Sequence, residues 1–118
     1  MWWIAEPKKL STEQRRVLGR AVRHGHPIAL SDMTLLEIAA RLNRRNVRLA
    51  QEVLQTIGRN PHFRILPVTI EIAMEAIDLI DALRDPSDCA IVATARVHGL
   101  RLLTSDQRII QSKLVPVE

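Results

Sequence analysis

The pattern of hydrophobic and polar positions along this chain of 118 residues changes its period several times. Short apolar runs, too brief for helices, alternate with longer segments in which apolar residues recur every three or four positions. The short runs predict strands at 28–30, 64–68, 100–104 and 114–117, the last at a sheet edge. The longer segments predict helices at about 11–24, 33–43, 47–57, 69–83, 85–98 and 107–112. This order is typical of an α/β fold with a mainly parallel sheet flanked by helices.

Capping residues define the ends of these predicted helices. Ser31, Thr69 and Asp85 stand where helices should begin, because their side chains can accept a hydrogen bond from a free backbone N–H group. Gly25 and Gly99 stand where helices should end, because glycine adopts the left-handed conformation easily. The chain has no repeat, linker or low-complexity tract. Residues 1–118 are therefore expected to form a single domain.

Charge and cysteine content limit the kinds of partner and the cellular locations that are expected for the protein. The chain carries 17 lysines and arginines against 13 acids, a net charge of +4, and 12 of the basic residues lie within positions 1–64. A basic half beside an acidic half suits a bound polyanion, although an ordinary solvated helix face would look the same. The single cysteine, Cys89, excludes an internal disulfide bond and favours a cytoplasmic location. No apolar run approaches the length of about 20 residues that a membrane span requires.

Acidic residues lie where a parallel sheet would bring them to one edge. Asp106 follows strand 100–104, and Glu37 lies in the second turn of the helix after strand 28–30. The helix that leads into strand 100–104 begins with Asp85 and Asp88. Helices between parallel strands run in the opposite direction to the strands, so these carboxylates should meet at the carboxyl edge of the sheet, where open α/β sheets hold their sites.

Each of these acids also has a structural explanation. Asp85 and Asp106 can cap helices, Asp88 suits a helix dipole, and Glu37 can pair with Arg41 four residues on. As a group, however, clustered carboxylates repel one another unless a cation neutralises them. Oxygen ligands suit Mg²⁺ or Mn²⁺, so the sequence predicts a site for one of these ions.

Seven short segments match the pattern of a known family: 2–7, 10–11, 28–31, 36–38, 85–88, 91–95 and 103–106. Through these segments the chain resembles the PIN-domain ribonuclease toxins of the VapC type over essentially its whole length. The resemblance implies a three-layer sandwich and an endoribonuclease in which a metal-activated water hydrolyses RNA. It assigns metal binding and catalysis to Glu37, Asp88 and Asp106, and supporting roles to Asp85 and to Thr104 or Ser105. It also implies a homodimer that is silenced by a cognate antitoxin.

The resemblance also predicts that one strand of the family's sheet, with its metal-binding aspartate, is missing from this chain. The family begins with a central strand that ends in an aspartate, about ten residues before a pair that corresponds to Trp2 and Trp3. Because this chain starts at the tryptophans, that strand and its acid are expected to be missing. Either the start of the chain is misassigned or cut short, or this is a genuine degenerate form.

Two alternatives to catalysis remain open on the sequence alone. A PIN-like domain that lacks one metal ligand could bind antitoxin or RNA without cleaving it, and a plain structural α/β domain is a third possibility. A basic cluster around the break between two predicted helices is the best candidate for contact with RNA phosphates, although it could equally face the antitoxin or solvent. Its members are Arg41, Arg44, Arg45 and Arg48.

Overall fold

The sheet has four parallel strands in the part of the chain that the structure describes. This computed structural model describes residues 3–5, 16, 19–20, 23–43, 46–104 and 107–117. The strands follow the order β3-β2-β1-β4, and every pairing between neighbours is parallel. The predicted α/β fold with a parallel sheet is confirmed. The strands are β1 (Trp3–Ala5), β2 (Ile28–Ser31), β3 (Phe63–Leu66) and β4 (Arg101–Leu103).

Helices connect the strands and cover the sheet. Asp85 caps the start of the helix Pro86–His98 as predicted, because its Oδ1 atom accepts a hydrogen bond of 2.9 Å from the backbone N–H of Ser87. Gly99 ends that helix with a φ of 66°. The helix expected at 11–24 lies largely outside the described residues. The described helices are α1 (Asp32–Asn43), α2 (Val47–Arg59), α3 (Ile70–Ile77), α4 (Ile80–Leu83), α5 (Pro86–His98) and α6 (Gln107–Ser112).

The expectation that the central strand is missing is wrong. β1 lies between β2 and β4, with Trp3 opposite Ile28 on one side and opposite Arg101 on the other. Three residues of extended backbone are enough to supply hydrogen-bonding groups to both neighbouring strands, which would otherwise leave polar groups unpaired. The residue that follows β1 in the sequence, Glu6, lies outside the described residues.

The helix predicted at 69–83 is divided in two. At Asp78 and Leu79 the backbone N–H groups donate to carbonyl groups three residues back, those of Glu75 and Ala76, at 3.3 and 3.0 Å. This tighter winding ends α3 and redirects the chain into α4. The change of direction places both Leu79 and Leu83 in the core, at 0% and 3% exposure.

The strand predicted at 114–117 does not form. Within the described residues, Val117 makes an isolated parallel bridge with Leu102, and the N–H of Leu102 donates to the carbonyl of Pro116 at 2.8 Å. Proline has no backbone N–H with which to continue a ladder, so the pairing stops at a single bridge.

Apolar side chains pack against both faces of the sheet. On β2, Ile28 and Leu30 pack with a small cluster that includes Phe63, whereas Ala29 belongs to the main core with α5. This alternation along one strand gives the three layers expected of the fold. Although α5 is buried continuously from Asp88 to Ala95, no helix within the described residues is long and apolar enough to cross a bilayer.

Candidate metal centre

Two contacts show which elements meet at the carboxyl edge of the sheet. Asp32, at the start of α1, accepts a hydrogen bond through Oδ2 from the backbone N–H of Val68, at 3.1 Å. Arg108, at the start of α6, donates through Nη2 to Oδ2 of Asp88 on α5, also at 3.1 Å. The starts of α1, α5 and α6 and the segment that leads to α3 therefore lie along this edge, as the sequence predicted for a parallel sheet.

Asp88 is the most deeply buried acid of the described residues. Its side chain is 1% exposed, at the start of α5, where the helix dipole favours a negative charge. The side chain of Arg108, which is 63% exposed as a whole, reaches in from the surface and forms an ion pair with it through Nη2. A buried carboxylate needs compensating charge, and here that charge comes from a side chain that is largely in water.

Glu37 lies on the inner side of α1. Thr34 is 1% exposed, and Glu37 follows it by three residues, so the two side chains share one face of the helix. Leu36, by contrast, points outward at 65% exposure. The hydroxyl oxygen of Thr34 is buried and has no hydrogen-bond partner among the described residues. A polar face of α1 is thus turned toward the interior, where α1 packs on α5.

Of the other predicted site residues, the structure describes Asp85 and Thr104. Thr104 is fully buried immediately after β4, at the same edge as Asp88. Asp85 is engaged as the cap of α5, which is the structural role it was given as an alternative. Ser105 and Asp106 lie outside the described residues, and no group of three or more potential metal-binding side chains is found within the described ones. The convergence of Glu37, Asp88 and Asp106 therefore stays a prediction.

The thiol of Cys89, next to Asp88 in the sequence, has a raised pKa. Burial raises the pKa of its thiol, and the negative charges of Asp88 and Asp85 raise that pKa further. The thiol therefore stays protonated, and a protonated thiol is a poor metal ligand. The oxygen atoms of this edge, rather than sulfur, are the available ligands.

The described residues fit a hard divalent cation by the kind of donor they offer. Asp88 contributes a buried carboxylate, and Thr34 contributes a buried hydroxyl without a hydrogen-bond partner among the described residues. Oxygen donors of this type are preferred by Mg²⁺ and Mn²⁺. The residues that would hold such an ion are Glu37 and Asp88, together with the predicted ligand Asp106.

The predicted RNA-binding arginines lie partly outside the described residues. Arg48, at the start of α2, is exposed. Arg41 belongs to α1, but its side chain lies outside the described residues, as do Arg44 and Arg45. A phosphate-binding role for this cluster stays a prediction.

Sequence reasoning missed Arg108 and Asp32. A signal for Arg108 was present, because a cation in the first turn of a helix opposes the helix dipole and needs a compensating partner. Asp32 was interpreted only as a helix cap. Its Oδ1 atom is buried without a partner among the described residues, while Oδ2 joins the start of α1 to the loop after β3.

Comparison with known proteins decides the family. The model of the PIN domain matches residues 1–113. The chain belongs to the PIN-domain family. It is 33% identical over 110 residues to the ribonuclease VapC22 of Mycobacterium tuberculosis, a match that covers 92% of this chain and 82% of that protein. The resemblance to toxins of the VapC type is confirmed.

Solved structures agree with this fold. The VapBC2 complex of Rickettsia felis, crystallised with a DNA fragment from its promoter, matches with a TM-score of 0.77 at 14% identity, over 100% of this chain and 98% of that one. The FitAcB structure from Neisseria gonorrhoeae matches with a TM-score of 0.70 at 20% identity, over 99% and 96% of the two chains. At these identities the structural matches show the PIN fold alone.

Proposed function

We propose that this PIN-domain protein is a metal-dependent endoribonuclease and the toxin of a type II toxin–antitoxin pair. The observation that carries the proposal is the buried carboxylate of Asp88 at the carboxyl edge of the sheet, in a fold whose α1 and β4 end also bury the polar side chains of Thr34 and Thr104. Its relative VapC22 is a ribonuclease, which supports a nuclease activity. We expect the protein to act in the cytoplasm, where its RNA substrate is found.

The protein's own residues have distinct tasks in this proposal. Asp88 and Glu37, with Asp106, hold Mg²⁺ or Mn²⁺ through carboxylate oxygens, and the start of α5 fixes the position of Asp88. When bound, such an ion lowers the pKa of a coordinated water and neutralises charge on a phosphodiester. Thr104 or Ser105 supplies the hydroxyl group that the resemblance assigns to the site, and Asp85 holds the first turn of α5 in place.

The surface of α3 and α4 supports a homodimer. Ile70, Met74, Ile77 and Ile80 are 82, 64, 66 and 51% exposed, and the spacing of the first three places them on one side of α3. The opposite side of α3 packs on the core through the fully buried Ile72. Exposed apolar patches of this kind mark protein contacts. We propose that a second copy of the chain covers these four side chains, which form an exposed apolar stripe along α3 and α4.

RNA and a cognate antitoxin are the other proposed partners. The excess of basic residues in the first half of the chain, including the exposed Arg48, suits RNA phosphates. Solved structures with the same fold include toxin–antitoxin complexes, among them VapBC from Salmonella typhimurium bound to DNA, with a TM-score of 0.72 and 14% identity. This likeness supports the antitoxin as a partner.

Cleavage of RNA by the purified protein tests the proposal. We expect the wild type to cut total bacterial RNA with Mn²⁺ and to stop when the ion is chelated. Asp88→Asn should lower the rate by about 100-fold or more, because it removes a ligand carboxylate. Glu71→Gln, a change to an exposed acid outside the site, is the matched control.

A domain that binds without cutting would give a different result. It would show no cleavage by the wild type with any divalent ion, although it would still bind its antitoxin. Cleavage that is equal in Asp88→Asn and wild type would also reject the proposed mechanism.

A further inference from the structure

The ion pair between Arg108 and Asp88 joins an exposed side chain to a buried one. Nη2 of Arg108 lies 3.1 Å from Oδ2 of Asp88, and the two side chains are 63% and 1% exposed. Arg108 belongs to the first turn of α6, a short helix that begins just after β4. A cation in this position is opposed by the dipole of its own helix, and the contact with Asp88 offsets that unfavourable interaction.

We propose that Arg108 is an exchangeable counter-ion, which neutralises Asp88 in the metal-free protein and gives way to the divalent ion when that ion binds. The proposal rests on the proposed function, because it takes Asp88 to be a metal ligand. Buried carboxylates are costly without a compensating charge, and a carboxylate held by a guanidinium is less available to a metal. Arg108 therefore stabilises the metal-free fold and competes with the metal.

The exposure of Arg108 makes this exchange feasible. Most of its side chain is already in water, so the guanidinium can move fully into solvent while the incoming divalent ion takes over the neutralisation of Asp88. Asp88 cannot move in the same way, because it is held in the first turn of a helix that is buried from Asp88 to Ala95. The arginine, and not the carboxylate, is the partner that can move.

Calorimetric titration with Mn²⁺ alone tests the exchange without an activity measurement. Arg108→Gln should bind Mn²⁺ at least about fivefold more tightly than wild type, the lower end of ordinary coupling between two sites. Arg96→Gln is the control, since it removes the same charge from an ion pair with Glu75, at 2.8 Å, that does not touch Asp88. This control should bind Mn²⁺ as the wild type does.

Thermal unfolding provides a second measurement. The metal-free Arg108→Gln protein should melt at a lower temperature than wild type, and saturating Mn²⁺ should remove most of that difference. If Arg108→Gln does not fold, Arg108→Lys replaces it. Lysine keeps the charge but lacks the planar fork, so tighter Mn²⁺ binding is still expected, with a smaller gain.

Unchanged or weaker Mn²⁺ binding by the Arg108 variants, with normal binding by wild type, would overturn the exchange and leave the proposed nuclease intact. In that case Arg108 merely orients Asp88. Absence of Mn²⁺ binding by the wild type would overturn both the exchange and the proposed metal-dependent function.

Discussion

Asp32 and Val68 are joined by a hydrogen bond across 36 positions of sequence, with Oδ2 of the aspartate 3.1 Å from the backbone nitrogen of the valine. The bond connects the start of α1 to the loop that follows β3. Both segments border the edge where Asp88 lies, so Asp32 helps to hold this edge together.

Replacement of Asp32 tests this role. Asp32→Ala should lower the free energy of unfolding by about 1–2 kcal/mol, because it leaves the N–H of Val68 without its acceptor. Asp32→Asn should lower it less, because the amide oxygen can still accept that bond. Urea unfolding followed by circular dichroism measures both variants. Equal stability of the alanine variant and wild type would show that the bond contributes nothing.

Glu37 tests whether the inner face of α1 contributes a metal ligand. Glu37→Gln keeps the size of the side chain but removes its charge, and we expect Mn²⁺ affinity to fall by about 10-fold or more. Glu52→Gln, at an exposed position on α2, is the matched control and should bind as wild type. Isothermal calorimetry measures both. An unchanged affinity in Glu37→Gln would remove this residue from the ligand set.

Met74 tests the proposed dimer surface. Met74→Lys places a charge in the middle of the exposed stripe on α3, and we expect the dissociation constant of the dimer to rise by about 10-fold or more. Sedimentation equilibrium measures the change. Leu36→Lys, on the outer face of α1 at 65% exposure, is the control and should leave the dimer unchanged. A wild type that is monomeric at all concentrations would contradict a dimer contact through this surface. So would a Met74→Lys variant that loses only its binding to the antitoxin.

Cys89 should be protected from alkylation in the folded protein. It is 1% exposed, and burial followed by the charges of Asp88 and Asp85 raises the pKa of its thiol. A raised pKa lowers the fraction of reactive thiolate, by about tenfold for each unit. We therefore expect iodoacetamide at mildly alkaline pH to label the native protein much more slowly than the urea-unfolded protein, as measured by mass spectrometry. Equal rates would mean that the start of α5 opens readily.

The fold was largely predictable because its strong signals are local. The caps at Thr69, Asp85 and Gly99 fixed the helix ends that the structure shows. The break between α3 and α4 was not predictable, because it depends on burying Leu79 and Leu83 against neighbours that are distant in sequence. The central strand was missed since the resemblance placed it upstream, whereas β1 consists of only three residues.

The position of Asp88 in the fold was predictable, but its ion pair was not. The direction of parallel strands was enough to place the start of α5 at the carboxyl edge, and Asp88 lies in the first turn of that helix, paired with Arg108. The ion pair itself joins residues 20 positions apart, and nothing in the local sequence pattern specifies it. Long-range pairing of this kind depends on the packing of α6 against the rest of the fold.

Binding of Mn²⁺ to the purified protein, compared between wild type and Asp88→Asn by calorimetry, tests the central claim most directly. We predict that titration of the wild type with Mn²⁺ gives a saturable heat signal. In Asp88→Asn the dissociation constant for Mn²⁺ should rise by at least about 10-fold. Equal binding by the two proteins, or no binding by the wild type, would contradict a metal centre built on Asp88.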